Sequence, residues 1–307
     1  MKQLAEQFEM KALSCDPAGM NGLSQKLITS HYENNYGGAV KRLVNIRKQL
    51  AQLDWPQAPN FTINGLKREE LIAVNSALLH ELYFSCLGGN GELALGGLSV
   101  GIARDFGSVD QWKNEFVALA KAMGGGSGWA MLSWSPRENR LINHWAADHT
   151  NQLAGAMPVL ALDMYEHAYH LDFGANAGAY VNAFMQNIHW ENVNEHYAAA
   201  VASSTQHLGI SCAEAAVGDV QRIDVRRAGA YAAAPNIISG AVWHDPEQVY
   251  DWAATLPKAK PVIVYCVWGH EVGQSTAAVL RDQGIDAKFL AGGMDAWKTA
   301  GLPIAAK

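Results

Sequence analysis

The sequence lacks the features that mark a membrane protein or a nucleic-acid-binding protein. It contains no apolar run long enough to span a bilayer and no cluster of basic residues. Its formal net charge is −6, which gives no support for a nucleic-acid partner. No signal peptide is predicted either, because Met1 to Met10 combine Lys2, Glu6 and Glu9 with few apolar residues. We therefore expect neither a membrane nor a nucleic acid among its partners.

Cysteine is scarce, and the cysteines show no pairing pattern. Cys15, Cys86, Cys212 and Cys266 lie far apart in the chain. A disulfide framework would place cysteines at paired spacings, whereas isolated thiols are typical of a reducing compartment. We expect a cytoplasmic protein with free thiols.

The 307 residues are enough for two domains with real cores. The first domain, predicted over residues 1–203, begins with a helical hairpin over 24–87, whose helices are expected at about 24–53 and 67–87. An α+β part over 98–200 follows, with a helix at 106–122 that Ser108 caps. Its strands are predicted at 129–134, at 141–146 and just before Asp163, in a small antiparallel sheet.

The second domain is predicted over residues 204–307, after a small and polar linker at 201–207. Short apolar strands alternate there with helices, which is typical of a parallel α/β domain. The strands are expected at 222–225, 241–243, 262–265 and 288–290, and the helices at 245–256, 272–282 and 294–300.

The spacing of Asp163 and His167 suggests a metal site. Residues four apart on a helix, or on a strand end that runs into one, can aim at the same point. The apolar run 157–162 predicts a buried strand, so Asp163 is expected to be buried and to need a partner or a metal. A carboxylate oxygen and an imidazole nitrogen together suit iron, manganese or zinc.

The stretch LDMYEHAYH (162–170) resembles the D-x-W-E-H-A-Y signature of the iron/manganese superoxide dismutases. Similar blocks occur at Gly107–Ser108, at GSGWA (126–130) and from Val181 to Val193, so that the resemblance covers about 22–197. It implies a homodimer, paired through this domain, that converts superoxide, a small anionic substrate, to dioxygen and hydrogen peroxide.

The resemblance also implies a ligand set. One iron or manganese ion per subunit would be held by His31, His80, Asp163 and His167. The metal's solvent ligand would be held by His149, or by Asp148 if the alignment slips by one residue. Glu166 would reach the ligand histidine of the second subunit, and Tyr83 and Trp129 match positions around the metal.

Several positions depart from the family pattern. Ala39 stands where the family has a channel tyrosine, Asn35 replaces the neighbouring histidine, His170 replaces the tyrosine that bonds it, and Tyr165 replaces the signature tryptophan. Tyr36 could substitute for the lost hydroxyl. We expect metal binding to survive these changes, whereas the sequence leaves undecided whether superoxide turnover stays fast. The alternatives are therefore a sulfurtransferase or persulfide-linked oxidoreductase, and a non-enzymatic metal or redox sensor.

Cys266 follows the predicted strand 262–265 and precedes a helix. Backbone N–H groups and the helix end at such a position are expected to lower a thiol pKa and to hold an anionic group, and Gly269 allows close backbone approach. The other interpretation is a buried, inert cysteine.

The segment from Gly209 to Ile304 resembles a rhodanese domain. IDVR (223–226), which contains Asp224 and Arg226, matches one of its blocks, and GA (240–241) and GGMDAW (292–297) match two more. The resemblance implies that Cys266 carries a persulfide. Glu271 occupies the place of the arginine that binds the sulfur donor, so thiosulfate is expected to be repelled, and His270 could partly offset this.

Overall fold

The structure is a computed structural model that describes residues 8–307. Residues 1–7, on which most of the signal-peptide prediction rests, lie outside this range. Within it, no helix has the length and apolar character needed to cross a membrane.

The chain begins with a long helical hairpin. Helix α1 (Gln25–Ser30) starts at Ser24, whose Oγ accepts the Leu27 N–H at 3.0 Å. A π-helical turn (His31–Tyr36) joins it to α2 (Gly37–Ala51), and α3 (Asn60–Ser85) packs along α2. The predicted hairpin is therefore present. Helix α3 begins seven residues before the predicted start at 67, directly after Pro59.

A sheet with further helices forms the α+β part. Helix α4 (Gly97–Phe106), which the sequence analysis missed, precedes α5 (Val109–Ala122), and the Ser108 hydroxyl caps α5 by accepting the Gln111 N–H at 3.0 Å. The antiparallel sheet has the order β2-β1-β3. Its strands and the helices after them are β1 (Trp129–Ser135), β2 (Arg140–Ala146), β3 (Met157–Asp163), α6 (His170–Phe173), α7 (Ala177–Met185) and α8 (Trp190–Thr205).

The predicted linker at 201–207 is not a linker in the structure. Helix α8 continues to Thr205, and a 3-10 turn covers Gln206–Leu208. Val201 and Thr205 are buried. Small residues such as alanine fit a helix as readily as a loop, and burial of Val201 favours the helix here. The boundary at 203/204 stays a prediction.

The last part of the chain is an α/β unit built on a parallel sheet. Its strand order is β4-β9-β8-β5-β7, and β6 pairs with β10 in a separate antiparallel ribbon. The predicted class is therefore confirmed for both parts of the chain. In chain order the elements are β4 (Gly209–Ile210), α9 (Cys212–Ala216), β5 (Gln221–Asp224), α10 (Ala228–Ala233), β6 (Asn236–Ile238), β7 (Val242–Trp243), α11 (Val249–Ala253), β8 (Val262–Tyr265), α12 (Glu271–Asp282), β9 (Ala287–Leu290), α13 (Gly293–Thr299) and β10 (Ile304–Ala306).

The two parts contact each other directly. The Tyr250 hydroxyl donates to Asp105 Oδ1 at 3.1 Å, and the Asn139 side chain donates to Asp282 Oδ2 at 2.9 Å. Helix α12 packs against α8 and α4. Residues 266–270, the cysteine loop, join β8 to α12 and therefore lie close to the first part of the chain.

Candidate metal centre and cysteine site

Four side chains from separate segments converge on one point. His31 comes from the π-helical turn, His80 from α3, Asp163 from the end of β3 and His167 from the 3-10 turn after it. Asp163 Oδ2 lies 3.1 Å from His31 Nε2, 3.2 Å from His167 Nε2 and 3.5 Å from His80 Nε2. One potential ligand atom of each residue lies within 4.8 Å of those of the other three.

This spacing fits a transition-metal ion. An ion about 2.1 Å from each ligand separates neighbouring ligand atoms by about 3.0 to 3.6 Å when the angles lie between about 90° and 120°. The three distances to Asp163 Oδ2 fall in that range. Three imidazole nitrogens and one carboxylate oxygen suit iron and manganese, among other ions.

Hydrogen bonds orient two of these side chains. Asp163 Oδ1 accepts the Tyr165 N–H at 2.8 Å, which leaves Oδ2 for the imidazoles. His80 Nδ1 lies 2.6 Å from the Ser76 carbonyl oxygen, and because a carbonyl only accepts, Nδ1 carries the proton. His80 Nε2 is then an unprotonated nitrogen, and it is buried without a hydrogen-bond partner. A buried lone pair of this kind is accounted for by a bound cation.

The charges of the three fully buried groups, His31, His80 and Asp163, also suit a cation. Burial lowers the pKa of His80 to about 3 and lowers the pKa of His31 as well. Burial by itself would raise the pKa of Asp163, but the imidazoles of His167 and His31 hold that pKa well below its usual range. His31 and His80 are therefore neutral and Asp163 is ionised at neutral pH, which is the state that binds a metal.

His149 lies beside this cluster and is held by aromatic residues. Trp129, directly opposite Asp163 in the β1–β3 pairing, donates from Nε1 to His149 Nδ1 at 3.0 Å. The Tyr165 ring stacks between His149 and His167, with ring centroids 4.9 Å and 5.4 Å away. Since His149 Nδ1 accepts, its proton resides on Nε2 in the neutral ring.

The competing residue, Asp148, has a different environment. Its side chain is exposed, and Oδ1 accepts the Thr150 N–H at 2.6 Å. The geometry therefore favours His149 over Asp148 as the residue beside the cluster.

The remaining predicted residues of this part lie around the cluster. The Tyr83 ring is 5.0 Å from that of His31, and its hydroxyl accepts from Tyr180 at 3.2 Å. Glu166 is exposed, and the adjacent His167 side chain is 29% exposed. Both are thus open to contact with another chain.

The departures from the family pattern also have defined places. Ala39 is buried in the hydrophobic core, Asn35 is half-buried and His170 is exposed. The Tyr36 hydroxyl donates to Glu81 Oε1 at 3.0 Å and accepts the Lys11 N–H at 2.8 Å. That hydroxyl is therefore already engaged by these two partners.

Cys266 lies between β8 and α12, as the sequence predicts. Gly269 in the loop has φ +71°, and a Cβ there would fall 2.6 Å from the Leu290 oxygen, so glycine is required. The expected low thiol pKa is not found. Burial raises the pKa of Cys266, and the surrounding backbone N–H groups of Trp268, Gly269, His270 and Gly273 only partly oppose this.

The other residues predicted for this loop have unequal roles. Both carboxylate oxygens of Asp224 accept hydrogen bonds from the Arg226 guanidinium, with Nε 2.9 Å from Oδ1 and from Oδ2. Arg226, His270 and Glu271 line a cavity that Cys266 also lines. Arg227, Gly97 and Asn194 line the same cavity, and the sequence analysis missed them. Of these three residues, only Arg227 could have been suspected from the sequence, because it directly follows the IDVR block.

Comparison with known proteins follows the same division of the chain. Residues 95–196 match the model of the C-terminal domain of iron/manganese superoxide dismutases, and residues 213–300 match that of the rhodanese-like domain. The chain belongs to the iron/manganese superoxide dismutase family, with a rhodanese-like domain fused after it.

Among its relatives is the "Superoxide dismutase [Fe]" of Cupriavidus metallidurans, which is 63% identical over 194 residues, or 63% of this chain and 98% of that protein. The "Superoxide dismutase [Fe]" of Aquifex pyrophilus is 34% identical over 60% of this chain and 89% of its own length. The "Superoxide dismutase [Mn] 1" of Halobacterium salinarum is 30% identical over 57% and 86%. Relatives named for iron and for manganese therefore both occur.

Proposed function

We propose that this protein is a superoxide dismutase that uses one iron or manganese ion per subunit, and that its fused rhodanese domain carries a persulfide on Cys266. The observation that carries the proposal is the convergence of the nitrogens of His31, His80 and His167 on Asp163 Oδ2. The 63% identity to a protein named superoxide dismutase supports it, and favours it over a sulfurtransferase that has lost superoxide turnover or a non-enzymatic sensor.

The four residues would hold the ion through the three Nε2 atoms and one carboxylate oxygen. A bound ion would supply the one-electron chemistry by which one superoxide is oxidised to dioxygen and a second is reduced, with two protons, to hydrogen peroxide. The protein contributes a buried and largely apolar surrounding, in which Trp129 and Tyr83 have no exposed surface. Such burial limits the access of water to the centre and affects its redox potential.

His149 is the residue that handles a proton beside the centre. Trp129 fixes Nδ1 as an acceptor, so Nε2–H is the donor that the ring can offer. Burial lowers the pKa of His149, which keeps the ring neutral at neutral pH. A neutral ring can donate a hydrogen bond from Nε2–H without adding positive charge next to the proposed ligands.

The dismutase domain is proposed to form a homodimer. Glu166 is exposed next to the half-exposed His167, so a second copy could place its own carboxylate against this imidazole. Sedimentation analysis of the wild-type protein and of Glu166→Ala tests this. A wild-type monomer contradicts the proposal, as does a dimer that Glu166→Ala leaves as stable as before.

Cys266 is proposed to accept sulfur from a small anion that carries sulfane sulfur. The thiol first loses its proton to solvent. The thiolate then attacks the outer sulfur, the S–S bond of the donor breaks, and the remainder leaves with the electron pair. An acceptor thiolate later takes that sulfur from the persulfide and releases the Cys266 thiolate.

Purified full-length protein tests both activities. We expect iron or manganese near one ion per chain, superoxide turnover that Asp163→Asn abolishes, and sulfur transfer that Cys266→Ala abolishes. Each variant should retain the other activity. Metal-replete protein without superoxide turnover would contradict the dismutase proposal, and wild-type protein that accepts sulfur from no donor would contradict the persulfide.

A further inference from the structure

The cavity beside Cys266 is formed by both domains. Its volume is about 210 Å3, and residues of the cysteine loop line one side while Gly96, Gly97 and Asn194 of the dismutase domain line another. Val100 of α4 also packs with Cys266 and Val272 in one buried apolar cluster. The thiol is therefore enclosed by the dismutase domain as well as by its own loop.

One arginine at this cavity is already neutralised. Arg226 is 3% exposed and its guanidinium is bonded to Asp224 through Nε. Its Nη2 donates to the Asn236 carbonyl at 2.9 Å. A guanidinium that is paired with a buried carboxylate has little charge left for a ligand.

Arg227 has a different environment. It is half-buried and lines the cavity, and its side chain makes no hydrogen bond or ion pair with any residue in the part of the chain that the structure describes. A guanidinium offers five N–H donors in a planar fork that matches carboxylate-like and oxyanion groups. An unpaired guanidinium at the wall of a cavity therefore favours an anion in that cavity.

Glu271, at the place of the family's donor-binding arginine, is engaged with the other domain. Its carboxylate packs so closely on Gly97 that a Cβ there would fall 1.9 Å from Oε1 and 2.4 Å from Cδ. Gly97 is the first residue of α4, and the positive end of a helix favours a nearby carboxylate. The negative charge of Glu271 is thus offset in part, and its side chain serves the contact between the domains.

We propose that Arg227 binds the negatively charged group of the sulfur donor, in a cavity shared by the two domains, and so takes the role of the arginine that the loop lacks. The inference rests on the proposed sulfur transfer at Cys266. The donor is a small anion with a terminal sulfane sulfur, its anionic group on the Arg227 guanidinium and its sulfur toward the thiol. His270, exposed at the same cavity, is a second donor for the anionic group.

Alkylation of Cys266 in the full-length protein tests the charge of the cavity without requiring turnover. The rate with iodoacetate, an anion, is divided by the rate with neutral iodoacetamide, and mass spectrometry of the Cys266 peptide follows both. A change in the intrinsic reactivity of the Cys266 thiol affects both rates alike and therefore cancels in their ratio. Because one unit charge is removed close to the reagent, we expect Arg227→Gln to lower the ratio about threefold to tenfold.

Two further variants make the test specific. Arg227→Lys keeps the charge and should keep the ratio within about twofold of the wild-type value, since a point charge still attracts the anion. Arg281→Gln removes the same charge from the far end of α12, where Arg281 pairs with Asp286 at 3.0 Å, and should leave the ratio unchanged. An unchanged ratio in Arg227→Gln overturns the inference, and so does an equal fall in Arg281→Gln.

Sulfur transfer from thiosulfate is measured on the same proteins. We expect Arg227→Gln to raise KM for thiosulfate by about the factor by which it lowers the alkylation ratio. If the wild-type protein accepts no sulfur from thiosulfate or from an organic persulfide, the proposed sulfur transfer fails. The alkylation ratio then still decides whether Arg227 attracts anions to Cys266.

Discussion

At the scale of single residues, hydrogen bonds decide which nitrogen of His80 and of His149 is available in the candidate metal centre. The Ser76 carbonyl oxygen accepts a hydrogen bond from the Nδ1–H of His80, and the Trp129 indole donates to Nδ1 of His149. The two rings therefore have opposite tautomers, one with a free lone pair at Nε2 and the other with a proton there. The first tautomer suits a ligand and the second suits a proton donor.

Trp129→Phe tests the second of these bonds. It removes the N–H that fixes His149 while keeping an aromatic ring at the position. We expect superoxide turnover to fall about tenfold and its pH profile to shift, with metal content retained, because partners of this kind affect activity by about tenfold to a hundredfold. Trp134→Phe is the matched control, since Trp134 is buried in the same strand and donates to Ser204. An equal loss in Trp134→Phe would contradict the role given to Trp129.

The buried histidines also predict how the metal-free protein responds to acid. The pKa of His80 is about 3 in the folded chain and about 6.5 in an unfolded one. Between these values the unfolded state binds a proton that the folded state does not. The free energy of unfolding is therefore highest above pH 6.5 and falls as the pH decreases toward 3. His80 contributes a slope on the order of 1 kcal/mol per pH unit within this window.

Urea unfolding of chelator-treated protein at several pH values measures that slope. His80→Gln keeps a side chain of similar polarity that does not titrate, and should make the free energy of unfolding less dependent on pH. The same slope in His80→Gln and the wild-type protein would show that His80 is not buried in its neutral form.

At the scale of helices and strands, caps and turns place the site residues. The π-helical turn at His31–Tyr36 lies between α1 and α2 and carries His31, the first of the four proposed ligands. Such turns are often found at functional sites, because the extra residue in the turn reorients the side chains that follow. Ser108 performs a simpler task at α5, where its hydroxyl accepts the Gln111 N–H.

Ser108→Ala tests that cap. We expect it to reduce the free energy of unfolding by about 1 kcal/mol, since the Gln111 N–H loses its partner. Calorimetry measures the effect, and Ser108→Asp, which retains an acceptor and adds a favourable charge at the helix start, should keep the wild-type transition. A similar loss in both variants would contradict the capping role.

Patterns within one element could be predicted from the sequence, and patterns that depend on packing could not. The apolar run before Asp163 predicted a buried strand, and β3 is that strand. The π-helical turn was predicted as part of an ordinary helix over 24–53, and in the structure it packs against α3. Likewise His31 and His80 are single histidines in helices, and only the family resemblance brought them to one site.

At the scale of the whole molecule, the dismutase domain forms a wall of the cysteine cavity. Gly97 and Val100 belong to α4, the helix that the sequence analysis missed, so the contact with Glu271 and Cys266 could not be predicted. Desolvation by burial is the largest cause of the raised pKa of the thiol, and Val100 of α4 is one of the residues packed against Cys266.

Gly97→Ala tests whether the domain contact controls access to Cys266. The added Cβ would collide with Oε1 and Cδ of Glu271. The Glu271 side chain must therefore move, and the contact between α4 and the cysteine cavity must shift with it. We expect the rate of Cys266 alkylation by neutral iodoacetamide to rise several-fold. Alanine is also the better helix former by about 1 kcal/mol, so a faster reaction would not reflect a weaker helix.

Gly65→Ala is the matched control for this variant. Gly65 is an exposed residue of α3 with no atom within 4 Å of an added Cβ, so the same substitution gains helix propensity without a collision. Its Cys266 should react at the wild-type rate. If Gly97→Ala also reacts at the wild-type rate while the protein remains folded by circular dichroism, the cysteine is enclosed by its own loop alone. A faster reaction restricted to Gly97→Ala means that the dismutase domain regulates the reactivity of the thiol in the domain fused to it.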